Sequence, residues 1–304
     1  MSITNKNFLP SNFCFHSGNE IVQNVIPISK SRNWVTEVRL PYRIKFEDYL
    51  DFTLKNFTSK SILFDGCNSN LTSYLQKFGF KSILVGKEAV FDFSINHFSK
   101  KSLKELIRRG LKHGSVKELE FSDLNKKLVE DFKKVSAIAK TPKLQHLFCS
   151  SFESFTRLFV FQNDKNEWLA LITVSQKSEK FSQTELILRR SKNPIGIMEA
   201  LIFSIYNILK SEGKEFWTLG AVPFVVNPAF SFTKESLINF IGKRLRFAYN
   251  YKGLFNFKNK FNPTWIDYYI CYNNKITYLE LVNLMRKTRL LHLVISKIFL
   301  KVWK

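Results

Sequence analysis

The spacing of apolar and polar residues changes period repeatedly between residues 157 and 224, and the rest of the chain is organised around that stretch. Arg157–Gln162 and Trp168–Ser175 alternate about a turn, Asn163-Asp164-Lys165-Asn166, which predicts a β-hairpin; Thr184–Arg189 extends it to a three-stranded meander. Met198, Leu201, Ile202, Ile205, Ile208 and Leu209 then recur at helical spacing. Gly213 fits a left-handed cap, and Phe216–Leu219 reads as another strand, closed by Gly220 and Pro223. At the strand-to-helix junction stand Arg189, Arg190, Asn193, Pro194 and Gly196, where the first helical N–H groups lack internal partners. Taken alone these residues describe an ordinary β-α-β unit with solvated arginines; a corner that attracts anions is the further expectation.

Upstream the pattern predicts a helix over Phe46–Asn56, a strand over Ser61–Phe64, a turn at Asp65-Gly66 and a helix over Leu71–Phe78 stopped by Gly79. Strands follow over Lys81–Val85, ending at Gly86, and Val90–Phe93. Ser99–His113 is a basic helix carrying Lys104, Arg108, Arg109 and Lys112, with Glu105 its one acid. Most such charge runs are solvated faces; here contact with a phosphate backbone is the competing expectation. Ser122 can cap a helix over Asp123–Ala139 whose Leu124, Leu128, Phe132 and Val135 form an apolar stripe ended by Thr141-Pro142. This join divides the chain into residues 1–140, 141–278 and a tail of 279–304.

Charge narrows the partners. With 47 Lys+Arg against 25 Asp+Glu the net charge is +22, so a polyanion, either nucleic acid or anionic lipid, is expected. The cysteines, Cys14, Cys67, Cys149 and Cys271, are far apart and the histidines show no ligand or triad spacing. Reduced thiols, no metal and a cytoplasmic protein are therefore expected. The first twenty or so residues hold no signal-peptide run, and no segment reaches the roughly 18 apolar residues of a spanning helix. In the tail, Arg286, Lys287, Lys297, Lys301 and Lys304 gather opposite Leu284, Leu291, Ile295, Ile298, Phe299 and Val302, with Leu290 and Val294 on the basic side. Two readings stay open for this basic amphipathic helix: an anchor on an anionic membrane, with Trp303 at the headgroups, or a terminal helix docked on the domain.

A meander feeding an anion-binding helix N-terminus matches the GNAT acyltransferase arrangement, and several blocks go further. Gly79-Phe80, Gly86-Lys87-Glu88-Ala89, Leu106-Ile107-Arg108-Arg109 and Gly114 lie in the first half. Arg189, Pro194-Ile195-Gly196, Gly213, Leu219-Gly220-Ala221-Val222-Pro223, Tyr251-Lys252-Gly253-Leu254, Phe257-Lys258-Asn259-Lys260-Phe261-Asn262-Pro263-Thr264-Trp265 and Tyr268-Tyr269 follow in the second. In these blocks, in this order, the chain resembles the C-terminal catalytic domain of bacterial phosphatidylglycerol lysyltransferases from about Ser61 to Tyr272.

The resemblance implies an α/β fold of two GNAT-like halves and an aminoacyl group moved from charged tRNA, as co-substrate rather than cofactor, to a membrane phospholipid such as phosphatidylglycerol. A protein peripheral on the inner face of the cell membrane is the expectation if the tail is the anchor. Arg189, Lys258 and Lys260 are then the catalytic candidates, and Glu185, Arg190, Gly196, Glu199 and Gly220 the substrate-binding ones. Lys104, Arg108, Arg109 and Lys112 are the tRNA-binding ones. Aligning that family's D-L-M-R arginine on Arg189 puts Leu186 at the aspartate, with Glu185 adjacent, so the amino acid stays open. Two other readings are a non-catalytic protein that binds tRNA or anionic lipid and an acyl-CoA-dependent GNAT enzyme.

Overall fold

A computed structural model describes residues 9–57, 60–139, 143–225 and 250–302, with side chains through Ser296; the proposed helix stop at Thr141-Pro142, the side chains of the tail's Lys297, Ile298, Phe299, Lys301 and Val302, and all of Trp303 and Lys304 lie outside what is described. In chain order the described elements are β1 (Phe13–His16), β2 (Val22–Ser29), β3 (Arg32–Pro41), α1 (Phe46–Asn56), β4 (Ser61–Cys67), α2 (Ser69–Gln76), β5 (Lys81–Asp92), α3 (Lys101–Leu111), β6 (Ser115–Leu119) and α4 (Asp123–Val135). They continue as β7 (Arg157–Gln162), β8 (Trp168–Ser178), β9 (Phe181–Arg189), α5 (Ile197–Ser211), β10 (Phe216–Pro223), α6 (Tyr251–Asn259), β11 (Thr264–Tyr272), α7 (Tyr278–Lys287) and α8 (Leu290–Val302).

These strands form one mixed sheet in the order β1-β3-β4-β11-β5-β10-β9-β8-β7-β6, with β2 on β3. The last strand, β11, is thus inserted between β4 and β5 of the first half, and β5 pairs in turn with β10 of the second. The fold is the α/β one expected. Its largest apolar cluster lies under α3 and α5, with Phe91, Ile205, Trp217 and Phe261 fully buried. A second lies under α1 and α2, and a third, on the other face, is closed by Ile276, Leu281 and Leu284.

Several local expectations change. Gly86 does not end a strand: β5 runs through it, because a Cβ there would come within 2.4 Å of the Val222 carbonyl oxygen on β10. Asp65-Gly66 is likewise not a turn but an irregularity inside β4, where Gly66 takes φ +81° and leaves room for the backbone of Ser11. The stripe on α4 is split: Val129 and Phe132 are buried, whereas Leu124, Leu128 and Val135 face solvent. Strands β1 to β3 precede the first predicted element; their alternation is diluted by buried Arg32, Asn33 and Thr36.

The tail is helical as expected, but in two pieces broken at Arg289, which has φ +58°. Thr277 and Glu280 form a capping box at the start of α7, and Glu280 also takes a buried ion pair from Arg32 at 3.1 Å. Leu293 and Val294 are buried while Ile295 is exposed, so this helix rests on the domain through the side that holds Val294.

Candidate active site

Strands β9 and β10 run parallel only as far as the pair Gln183–Thr218. At the next step each carries an irregularity, and the two separate. On β9 the register against β8 shifts between Thr184 and Leu186, making Glu185 the extra residue; on β10 it shifts between Thr218 and Ala221 around Gly220, whose φ is +85°. A bulge bends a strand and re-aims a side chain. The result is a parting between adjacent strands, with Glu185 at the bulge on β9 and the Gly220 and Ala221 carbonyls at the irregularity on β10.

From α6, Lys258 reaches the β10 side of this parting. Its Nζ donates to the Gly220 oxygen at 2.8 Å and the Ala221 oxygen at 3.2 Å, and the residue is only 3% exposed. Burial pulls its pKa from 10.5 down to about 7, against the opposing charge of Glu88. Glu88, buried on β5, accepts from the Thr218 hydroxyl at 2.8 Å. A neutral amine with two N–H bonds committed to carbonyls keeps one lone pair free to accept a proton.

Glu185 is held by three donors: the Ser175 hydroxyl at 2.5 Å, the Gln183 amide at 2.7 Å and the Cys149 backbone N–H at 2.7 Å. Burial raises its pKa, and those bonds and the charge of Lys177 oppose the rise. Leu171 and Ser175, four apart on β8, share a face; Leu171 packs with Leu186 and Ser175 bonds Glu185, so the bulge brings Glu185 onto the face of Leu186. The carboxylate that alignment made merely adjacent thus projects from the same side of the sheet.

Lys177 went unrecognised in the sequence. It is 2% exposed, its pKa is pulled down by burial, and Glu88 and Glu185 are the carboxylates acting on it most strongly. Its inward parity with Thr173 and Ser175 on β8 is the signal that could have found it. Asp65 and Tyr268 were missed as well: the Tyr268 hydroxyl donates to Asp65 at 3.0 Å, and burial raises the carboxyl to about 6 against that bond and one from the Gly66 backbone.

Lys260 caps α6 on a different side from Lys258 and pairs with Glu199, in the first turn of α5, at 3.0 Å. Arg190 donates from Nε to the Trp168 carbonyl at 2.7 Å, tying the strand end together. Arg189 ends β9 exposed, with no side-chain partner among the described residues. Gly196 begins α5 with φ +95°; a Cβ there would lie 2.1 Å from the Leu106 oxygen, and one on Gly110 would lie 2.2 Å from the Gly196 oxygen. That glycine permits α3 and α5 to touch. On α3, Arg108 and Arg109 both bond Glu105 at 2.8 Å, while Lys104 and Lys112 are exposed or nearly so. No cluster of three metal-ligating side chains occurs among the described residues.

Residues 47–272 match the family described as phosphatidylglycerol lysyltransferase, C-terminal. The phosphatidylglycerol lysyltransferase of Bacillus subtilis (strain 168) is 24% identical over 223 residues, 70% of this chain and 26% of that protein, so the chain spans about a quarter of that relative's length. The structure of L-PGS from Bacillus licheniformis superposes with a TM-score of 0.69 at 20% identity, over 89% of this chain and 85% of that one. A C-terminal domain named for lysylphosphatidylglycerol synthetase, from Agrobacterium fabrum, gives 0.66 at 21% identity over 88% and 89%. These likenesses to solved structures show the fold.

Proposed function

The chain belongs to the phosphatidylglycerol lysyltransferase C-terminal family, and on that premise we propose that it moves an aminoacyl group from charged tRNA to a hydroxyl of a phospholipid such as phosphatidylglycerol. The observation that carries this reading is Lys258, a buried amine with a pKa of about 7 at the point where β9 and β10 part. The aminoacyl ester is already activated, so positioning, stabilisation of charge and removal of one proton suffice. The lipid hydroxyl attacks the ester carbonyl and gives its proton to neutral Lys258. A C–O bond to the acceptor forms and that to the terminal ribose breaks. The ribose oxygen then takes the proton back from Lys258.

Glu185 suits the amino group of the transferred residue, since its three donors leave about one of a carboxylate's four acceptor positions open. Exposed Arg189 is the cation for the acceptor's phosphate, and Lys104, Arg108, Arg109 and Lys112 are the surface for tRNA phosphates. Lys260 and Glu199 hold α6 against α5 and so position Lys258. Peripheral attachment to an anionic membrane belongs to the same reading. The test is incubation with a mixture of radiolabelled aminoacyl-tRNAs and phosphatidylglycerol: label in a new lipid species supports the proposal. Discharge that instead depends on a CoA thioester, or binding of tRNA without discharge, refutes it.

A further inference from the structure

Gln183 is the last residue of β9 that pairs on both sides: it stands opposite Ser175 on β8 and Thr218 on β10, and β9 and β10 part just beyond it. Residues directly opposite one another in a sheet project to the same side. Gln183 therefore shares a side with Ser175, which donates to Glu185, and with Thr218, which donates to Glu88. Its own amide N–H goes to Glu185 at 2.7 Å. Its carbonyl oxygen, Oε1, is buried and meets no donor among the described residues, and the residue as a whole is 3% exposed. Among those residues the other buried polar side-chain atoms left unmet belong to Asn12, Trp34, Thr53 and Asn193, and none of these side chains bonds Glu185.

A buried acceptor without a donor is costly, and its neighbours decide what would satisfy it. The Glu185 carboxylate beside it repels an anion. A hydroxyl supplies one hydrogen and a thioester none, whereas an ammonium supplies three, enough for Oε1 and for the position that Glu185 keeps open. Lys177, the buried cation nearby, lies toward the closed end of the strand pair: its neighbours Gln176 and Ser178 pair with Ser182 and Phe181, and its Nζ is 5.2 Å from the centroid of the Phe181 ring. In the other direction Thr218, opposite Gln183, lies two residues before Gly220, whose carbonyl holds Lys258. In an aminoacyl ester the α-ammonium is borne by the carbon next to the ester carbonyl, so a site this near the proton acceptor suits that group. We propose that Gln183 is a specificity-determining residue whose Oε1, together with the Glu185 carboxylate, receives the α-ammonium of the aminoacyl group. The proposal rests on the aminoacyl-transfer reading and adds a second acceptor to it, whereas the recognition itself is measurable without transfer.

The experiment compares two stable analogues made on one tRNA, in which alanine or lactic acid is joined through an amide in place of the ester, so that a hydroxyl replaces the ammonium at nearly the same size. The full wild-type chain is expected to bind the alanine analogue about tenfold or more tightly than the lactic one. Gln183→Met keeps the length of the side chain without its amide; it should lower that preference about tenfold while binding the lactic analogue within about twofold of wild type. Gln183→Glu should restore the preference, since a carboxyl that shares a proton with Glu185 both donates to it and offers an acceptor. In a Glu185→Gln background, Gln183→Met should lower the preference again. No preference in the wild type, an undiminished one in Gln183→Met, or equal weakening of both analogues overturns the proposal, the last two being the results for an oxygen that holds a buried water only. So does Gln183→Glu behaving like Gln183→Met, or no further loss in the Glu185→Gln background, which would mean that Gln183 acts only through Glu185. Transfer to phosphatidylglycerol is measured in parallel: the preference without transfer refutes the catalytic reading alone, and transfer with an undiminished preference in Gln183→Met refutes the role of Gln183 alone.

Discussion

Replacing Lys258 by Met keeps the length and apolar stem of the side chain but removes the proton it carries. The pKa falls from 10.5 in the unfolded chain to about 7 in the fold; at about 1.4 kcal/mol per unit, burial disfavours the ammonium by roughly 5 kcal/mol. The unfolded chain therefore binds more protons than the folded one between about pH 7 and 10.5, and wild-type stability rises with pH across that window. Between pH 6 and pH 9 the gain is roughly 2.6 kcal/mol, or about 5 °C in melting temperature for a chain this large. The variant lacks this term. At pH 6 it escapes the whole penalty but leaves the Gly220 and Ala221 carbonyls without their donor, at about 1–3 kcal/mol each, so the absolute difference is small. The difference in slope is not. Thermal melts of both proteins at pH 6, 7.5 and 9 decide it: wild type should gain about 5 °C relative to Lys258→Met. Parallel curves would refute a depressed lysine and, with it, the proton acceptor. The variant should also lose transfer, while wild-type turnover should climb with pH through about 7.

Arg189→Ala should abolish transfer with a melting temperature unchanged within about 1 °C, since its side chain is exposed and has no polar partner among the described residues; early melting would mean the arginine is structural. Neutralising Arg108 and Arg109 together should weaken tRNA binding and reduce the slope of log affinity against log salt by about two, while an unchanged slope removes α3 from the docking surface. Gly110→Ala, whose Cβ would press on the Gly196 backbone, should cost about 1–3 kcal/mol in denaturant unfolding; a neutral result would mean α3 and α5 can part freely.

Sequence pattern revealed those elements whose period is set by one buried face. The hairpin at β7 and β8, the amphipathic helix α5 and the capped start of α4 appear where the residues place them, with Ser122 accepting from Asn125 N–H at 3.1 Å. Glycine was ambiguous in a specific way. Gly213 ends a helix through a positive φ, but Gly86 is required for close approach between β5 and β10, and local sequence does not distinguish the two demands. The resemblance in blocks carried Lys258 and Arg189. Lys177 stayed hidden, and Glu88 was legible only as part of a block, because each acquires its environment from strands far away in the chain, and burial, which perturbs Lys177, is a property of the assembled sheet.

The split between Lys258 and Lys260 follows from helical geometry. Two residues apart on a strand would project to the same face; near the end of a helix they are separated by about 200°. One amine is thus directed at the Gly220 and Ala221 carbonyls on β10 and the other toward Glu199 on α5. On the proposed reading, the same period makes Lys260 a positioning residue. Glu199 is 6% exposed and pairs with that lysine, so losing Lys260 would leave a buried carboxylate uncompensated and weaken the contact between α6 and α5. Displacing α6 moves Lys258 from the two carbonyls that fix its lone pair. Loss of Lys260 should therefore be partly rescued by removing Glu199 as well, as Glu199→Gln with Lys260→Met, whereas loss of Lys258 has no such remedy. Transfer rates of the two single variants and the double variant measure the coupling; simple additivity would place Lys260 at the substrate itself.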